Sequence, residues 1–108
     1  MEKKIRLDKE IIFDNVADLF NVFGNVTRLK ILLALSDNKE LSVTSISDIL
    51  NMSQSAISHQ LKNLKNAKLI GNRRDGKTIY YFILDNHVST ILNQGFEHIM
   101  EDEDEENI

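Results

Sequence analysis

The sequence predicts a mostly helical α+β fold, a winged helix-turn-helix ordered α-α-α-α-β-β-α and paired as a homodimer. Three observations carry this reading. Apolar residues recur at helical spacing through segment after segment. Two helical patterns in mid-chain are separated only by the break "NMS". Directly after them, two β-rich runs flank Asp75-Gly76, a strong hairpin signal.

Taken in order, residues 1–8 are polar and expected to be flexible, residues 9–101 form the domain, and residues 102–108 an acidic, disordered tail. Ile12, Val16, Leu19 and Phe23 define the first helix, with Phe13 and Phe20 broadening its stripe and Gly24 ending it. A stripe that wide on so small a domain calls for a second burial surface, such as a dimer contact. Thr27 to Leu35 reads as the second helix, with Leu29, Leu32 and Leu33 inward, and Ser36 to Glu40 as a loop. Ser42 can cap a short third helix with Val43, Ile46 and Leu50 inside. Ser53 can cap the fourth, which turns Ile57, Leu61 and Leu64 inward at i, i+4 and i+7. The final helix runs from about Asn86 to Met100 on Val88, Ile91, Leu92, Phe96 and Ile99.

The 108 residues suffice for one domain, and no repeat or second domain is visible. The chain has no cysteine, so it has no disulfide, thiolate metal site or cysteine nucleophile. With no signal-peptide pattern and no membrane-length apolar run, it reads as a cytoplasmic protein with no membrane partner. The net charge of −4 misleads about partners. Six of the seventeen acids form the run EDEDEE at 101–106, so the remaining eleven face thirteen Lys and Arg. A mildly basic body leaves nucleic acid open as a partner.

The fourth helix carries Ser53, Gln54, Ser55, Ser58, His59 and Lys62 at its start and on its polar face. Any amphipathic helix has a polar face; the basic hairpin directly downstream is what turns this one toward DNA. Gln54 is the candidate for direct readout, because its amide can pair bidentately with adenine. Ser55, Ser58 and His59 would contact bases or phosphates. Arg73, Arg74 and Lys77, clustered at the hairpin, would hold the DNA backbone, a contact that weakens steeply with salt. A dimer on two half-sites about one turn apart (~34 Å) is expected on double-stranded DNA.

The last helix holds two of the three histidines, His87 and His98. Eleven residues bring the second back to nearly the same face, roughly 16 Å farther along the axis. Both therefore look the same way but cannot share an ion. Each has a nearby acid: Asp85 before His87, and Glu101 at i+3 from His98. Two surface histidines near acids are often only that. If they ligate, an antiparallel second copy would bring Asp85 and His87 of one chain to His98 and Glu101 of the other, giving two four-ligand sites per dimer.

These residues together resemble the ArsR/SmtB family of metal-sensing bacterial repressors, across roughly residues 15–101. "LFNVFGNVTRLKILLAL" is similar to that family's second-helix region, with Val26 where a Pro is usual. "MSQSAISHQLKNL", residues 52–64, resembles its recognition helix, and "RRDGKTIYYFI" its wing. The spacing of Asp85, His87, His98 and Glu101 matches the family's C-terminal-helix zinc site. Cysteine-using members carry thiols in the stretch that reads "ELSVTSI" here, where Ser42 and Thr44 stand instead. The resemblance implies a repressor released from operator DNA by Zn²⁺, with Co²⁺ as a mimic, that controls metal efflux or homeostasis genes. Ligation needs neutral imidazoles, so the response is expected to fade in acid.

Two other readings stand beside it: a winged-helix repressor answering a non-metal signal, and a Co or Ni sensor with further ligands. An enzyme is not expected. Four protein ligands leave a zinc ion no open position for water, and there is no HExxH, Ser-His-Asp set or Gly-rich phosphate loop. No organic small-molecule substrate is expected either.

Overall fold

The computed structural model describes residues 7–106. Eight elements follow in order: α1 (Glu10–Phe23), α2 (Val26–Asp37), β1 (Leu41–Ser42), α3 (Val43–Leu50), α4 (Gln54–Asn66), β2 (Ile70–Asp75), β3 (Thr78–Ile83) and α5 (Asn86–Glu106). The strands form one antiparallel sheet in the order β1-β3-β2. This is the expected winged helix-turn-helix with one short strand added. Two residues are too few to leave a periodic signal, and β1 exists only because Leu41 and Ser42 pair with Tyr81 and Tyr80.

Local chemistry accounts for most boundaries. The Asn25 side chain accepts a hydrogen bond from the Arg28 backbone N–H, so α2 starts at Val26. The helix then runs through Asp37, and the expected loop loses its first two residues. The Ser42 and Ser53 hydroxyls accept from Ser45 N–H and Ala56 N–H, capping α3 and α4 as their positions predict. Between these helices Asn51 takes the left-handed conformation at φ 55°, which an Asn tolerates better than most residues. The Ser47 hydroxyl donates to the Met52 carbonyl across the same turn.

At the hairpin, Asp75 pairs with Thr78, so the two loop residues are Gly76 and Lys77. Gly76 has φ 63°, which fits a II′ turn with Gly in the first loop position. The loop thus lies one residue later than an Asp-Gly reading places it.

The core gathers at the joint of α2, α3 and α4, where Ile31, Leu32, Ile46, Ile57, Leu61 and Leu64 are fully buried. Burying one such side chain stabilises by about 1.5–3 kcal/mol over leaving it exposed, so α4 is seated firmly. Val88 and Leu92 of α5 close the core from the other side. The first helix buries only part of its stripe in the single chain. Of its stripe only Phe23 is buried, while Ile12, Val16, Phe13 and Phe20 remain exposed in the single chain. At the far end α5 extends to Glu106, so residues 102–106, read from the sequence as tail, continue the helix. Residues 107–108, and residues 1–6 of the expected flexible segment, lie outside the described residues. Among the described residues no single helix is long and apolar enough to cross a membrane.

Candidate nucleic-acid interface and metal half-sites

Ser53, Gln54, Ser55, Ser58, His59 and Lys62 are all exposed, on the side of α4 opposite Ile57, Leu61 and Leu64. Their common face follows from helical periodicity: the buried residues fix one side, and these fall on the other. Gln54 is the first residue of the helix, free of the core and at its leading end. The Ser53 hydroxyl caps the helix and lies 3.4 Å from the Ser55 hydroxyl.

A contact that the sequence pattern does not reveal sets this helix against its neighbour. The Arg28 Nε of α2 donates to the half-buried Gln60 Oε1 of α4 at 2.9 Å. The two residues are 32 positions apart, and only the fold brings them together.

The three wing cations are not equivalent. Lys77 sits in the hairpin loop, and Arg74 on β2 is exposed beside it. Arg73 is engaged within the chain: Nε donates to Glu40 Oε2 at 2.8 Å and Nη2 to Glu40 Oε1 at 2.5 Å. The hydrogen bond from Arg73 holds the Glu40 carboxyl below its ordinary range, and Glu40 in turn raises the guanidinium further. Arg73, expected from the sequence to hold the DNA backbone, is thus paired with a carboxylate in the single chain. Glu40, the partner, gave no sign of this role, lying at the end of a polar loop.

The two candidate donor pairs lie apart, one at the start of α5 and one farther along it. Asp85 precedes the first helical residue, and its Oδ1 accepts from the His87 backbone N–H at 2.8 Å. The same oxygen lies 3.2 Å from His87 Nδ1. Asp85 thus caps the helix and holds the imidazole at once. The His87 side chain is 93% exposed, so the pair faces outward. His98 and Glu101 are also exposed, about 16 Å down the axis from His87. Among the described residues no three His, Asp or Glu side chains gather closely enough to hold a metal. One chain offers two half-sites of two donors each. Imidazole and carboxylate are donors that zinc accepts, and each end is open to a second contributor.

Residues 25–71, from the cap of α2 into β2, match the model of the bacterial regulatory protein, arsR family. The chain is 34% identical over 100 residues to a cadmium resistance transcriptional regulatory protein CadC homolog from Staphylococcus aureus, covering 90% of this chain and 83% of that one. The chain belongs to the ArsR family.

Over 86 residues it is also 34% identical to a transcriptional repressor SmtB homolog from a Synechocystis strain, spanning 80% of this chain but only 64% of that relative's length. Among solved structures, the antimony-specific transcriptional repressor AntR superposes with a TM-score of 0.83 at 32% identity, covering 94% of this chain and 92% of that one. A homodimeric winged helix-turn-helix DNA-binding domain from Mycobacterium bovis superposes at 0.77 with 27% identity, covering 99% and 96%. As an ArsR-family protein, the chain is a DNA-binding transcriptional regulator rather than an enzyme.

Proposed function

We propose that this ArsR-family chain is a zinc-responsive repressor whose homodimer binds operator DNA without metal and lets go when zinc is bound between subunits. The observation that carries the reading is the division of donors along α5 and its cap: Asp85 with His87 at the start, His98 with Glu101 farther along, and no third donor near either among the described residues. Half-sites of this kind call for a second chain. Asp85 and His87 would face His98 and Glu101 of the partner subunit, and two-fold symmetry repeats the arrangement. Zinc would supply four bonds that tie the two α5 helices together. Relatives named for cadmium resistance and for antimony support a metal as the signal. The donors here favour zinc over thiophilic ions, since the chain has no cysteine and Ser42, in the stretch where cysteine-using members carry thiols, caps α3 instead.

The dimer reading rests on exposed apolar surface. Phe13, Val16 and Phe20 of α1 and Ile99 and Met100 of α5 are all at least 42% exposed. An apolar groove of about 370 Å³ runs between these helices, lined by Phe20, Phe23, Ile91 and Phe96 among others. A second copy would cover it. In DNA recognition Gln54 would read a base edge, with Ser55, Ser58, His59 and Lys62 beside it. Arg74 and Lys77 would hold the backbone.

The test is a titration of metal-free protein with Co²⁺, followed by Zn²⁺. Intense tetrahedral visible bands, saturating at one ion per protomer and bleached by zinc, are expected. Weak octahedral bands would point to a Co or Ni sensor. No spectral change would leave a winged-helix regulator with a non-metal signal. On the DNA side, Gln54→Ala should cost about 1–3 kcal/mol of discrimination at one base position and leave non-specific binding intact.

A further inference from the structure

The wing carries a clasp for which the DNA-reading surface does not account. Arg73 on β2 pairs with Tyr80 on β3, and its guanidinium carbon lies 4.8 Å from the centroid of the Tyr80 ring. Ser42 on β1 pairs with Tyr80 from the other side, and Glu40 lies two residues before it. Glu40 itself lies just ahead of β1, and Arg73 reaches it over the Tyr80 side of the sheet. The two hydrogen bonds from Arg73 to Glu40 therefore link β2 to the residue that leads into β1, with Tyr80 of β3 between them.

A carboxylate offers a guanidinium the same two-oxygen edge that a phosphate does. We infer that Glu40 withholds Arg73 from DNA: it occupies the guanidinium fork a phosphate would take, so that Arg73 fixes the angle of the wing while Arg74 and Lys77 meet the backbone. The proposal rests on the DNA-binding reading above. An exposed ion pair contributes little to stability by itself. What it changes here is charge, because a paired Arg73 presents almost no net charge to an approaching phosphate. Its second effect is geometric. The clasp ties the wing to the end of the α2–α3 connection, and so to the helices that present Gln54.

The experiment measures binding of the metal-free, full-length protein to a mixed-sequence DNA duplex across a salt series. One added phosphate contact steepens the dependence of log K on log salt by about 0.9. Glu40→Gln is expected to bind tighter at low salt and to steepen the slope by that amount. Arg73→Gln should keep the wild-type slope. The double variant should match Arg73→Gln, because the effect of Glu40 runs through Arg73. A slope flattened by one contact in Arg73→Gln would overturn the proposal, as would an unchanged slope in Glu40→Gln. Amide hydrogen exchange of the free protein tests the clasp without DNA: both single variants should speed exchange along β1 and β3, and no change in either would remove the clasp. Wild-type protein with no salt-dependent binding would sink the DNA-binding reading and this proposal together, whereas a failed Glu40→Gln result sinks the proposal alone.

Discussion

Lys68 holds a left-handed backbone, φ 62°, at the exit from α4, where its N–H bonds to the Lys65 carbonyl and the next N–H reaches back to Leu64. A Cβ in that conformation is strained, and glycine is the residue that relieves it. Lys68→Gly should stabilise the fold by about 0.5–1 kcal/mol, read as a rise in the chemical denaturation midpoint with unchanged slope. The Glu40 carboxyl illustrates a different dependence. Its folded pKa is lowered, chiefly by the hydrogen bond from Arg73. The clasp is therefore complete above the ordinary carboxylate range and is lost as pH falls through the lowered value. Arg73 stays charged throughout. Wing amide exchange, corrected for intrinsic rate, should stay flat through neutral pH and rise only in acid; a change near neutrality would assign the clasp to another group.

At the level of elements, α4 depends on one hydroxyl at its head. Ser53→Ala removes the acceptor for Ala56 N–H and should cost about 1 kcal/mol, with operator affinity falling as well because the same turn presents Gln54. Calorimetry and a DNA titration would check the two effects separately. The helix-turn-helix and the hairpin were legible in the sequence because their signals are local: a cap, a 3.6-residue repeat, a Gly at a tight turn. The pairing of Arg73 with Glu40 and of Arg28 with Gln60 spans 33 and 32 residues, and no local pattern announces either. For α2 the periodic signal blurs because Ile31, Leu32, Ala34 and Leu35 are all buried and no single stripe exists. The candidate donor pairs, Asp85 with His87 and His98 with Glu101, follow from spacing along the helix. That Asp85 also caps the helix, through its contact with His87 N–H, becomes visible only once the helix start is placed.

Across the whole molecule, the apolar stripe on α1 marks the limit of reading one chain. Periodicity says that Val16 and Phe20 need cover, and the width of the stripe points to a second surface such as a dimer contact, but neither says which residues of a second chain would supply it. In the single chain they remain exposed, at 45% and 58%. Phe20→Glu places a charge in that surface and should yield a folded monomer by analytical ultracentrifugation, with unchanged far-ultraviolet circular dichroism and weakened DNA binding. A dimer that survives this substitution would move the interface elsewhere. If zinc lowers operator affinity, linkage requires that operator DNA lower zinc affinity by the same factor, so the metal midpoint should shift upward when DNA is present.

The separation of donors along α5 also has a genetic reading. One allele carries Asp85→Ala with His87→Ala; another carries His98→Ala with Glu101→Ala. On the proposed inter-subunit zinc reading, each protein alone would form dimers in which both metal positions are broken. Coexpressed, the two form hybrids in which the intact end of one chain meets the intact end of the other, and the two broken ends meet at the second position. Such hybrids should bind one Co²⁺ per dimer with tetrahedral bands, and cells holding both alleles should regain a metal response that neither allele supports. Complementation between two dead alleles is the signature of a sensor whose receptor belongs to the pair and to neither chain.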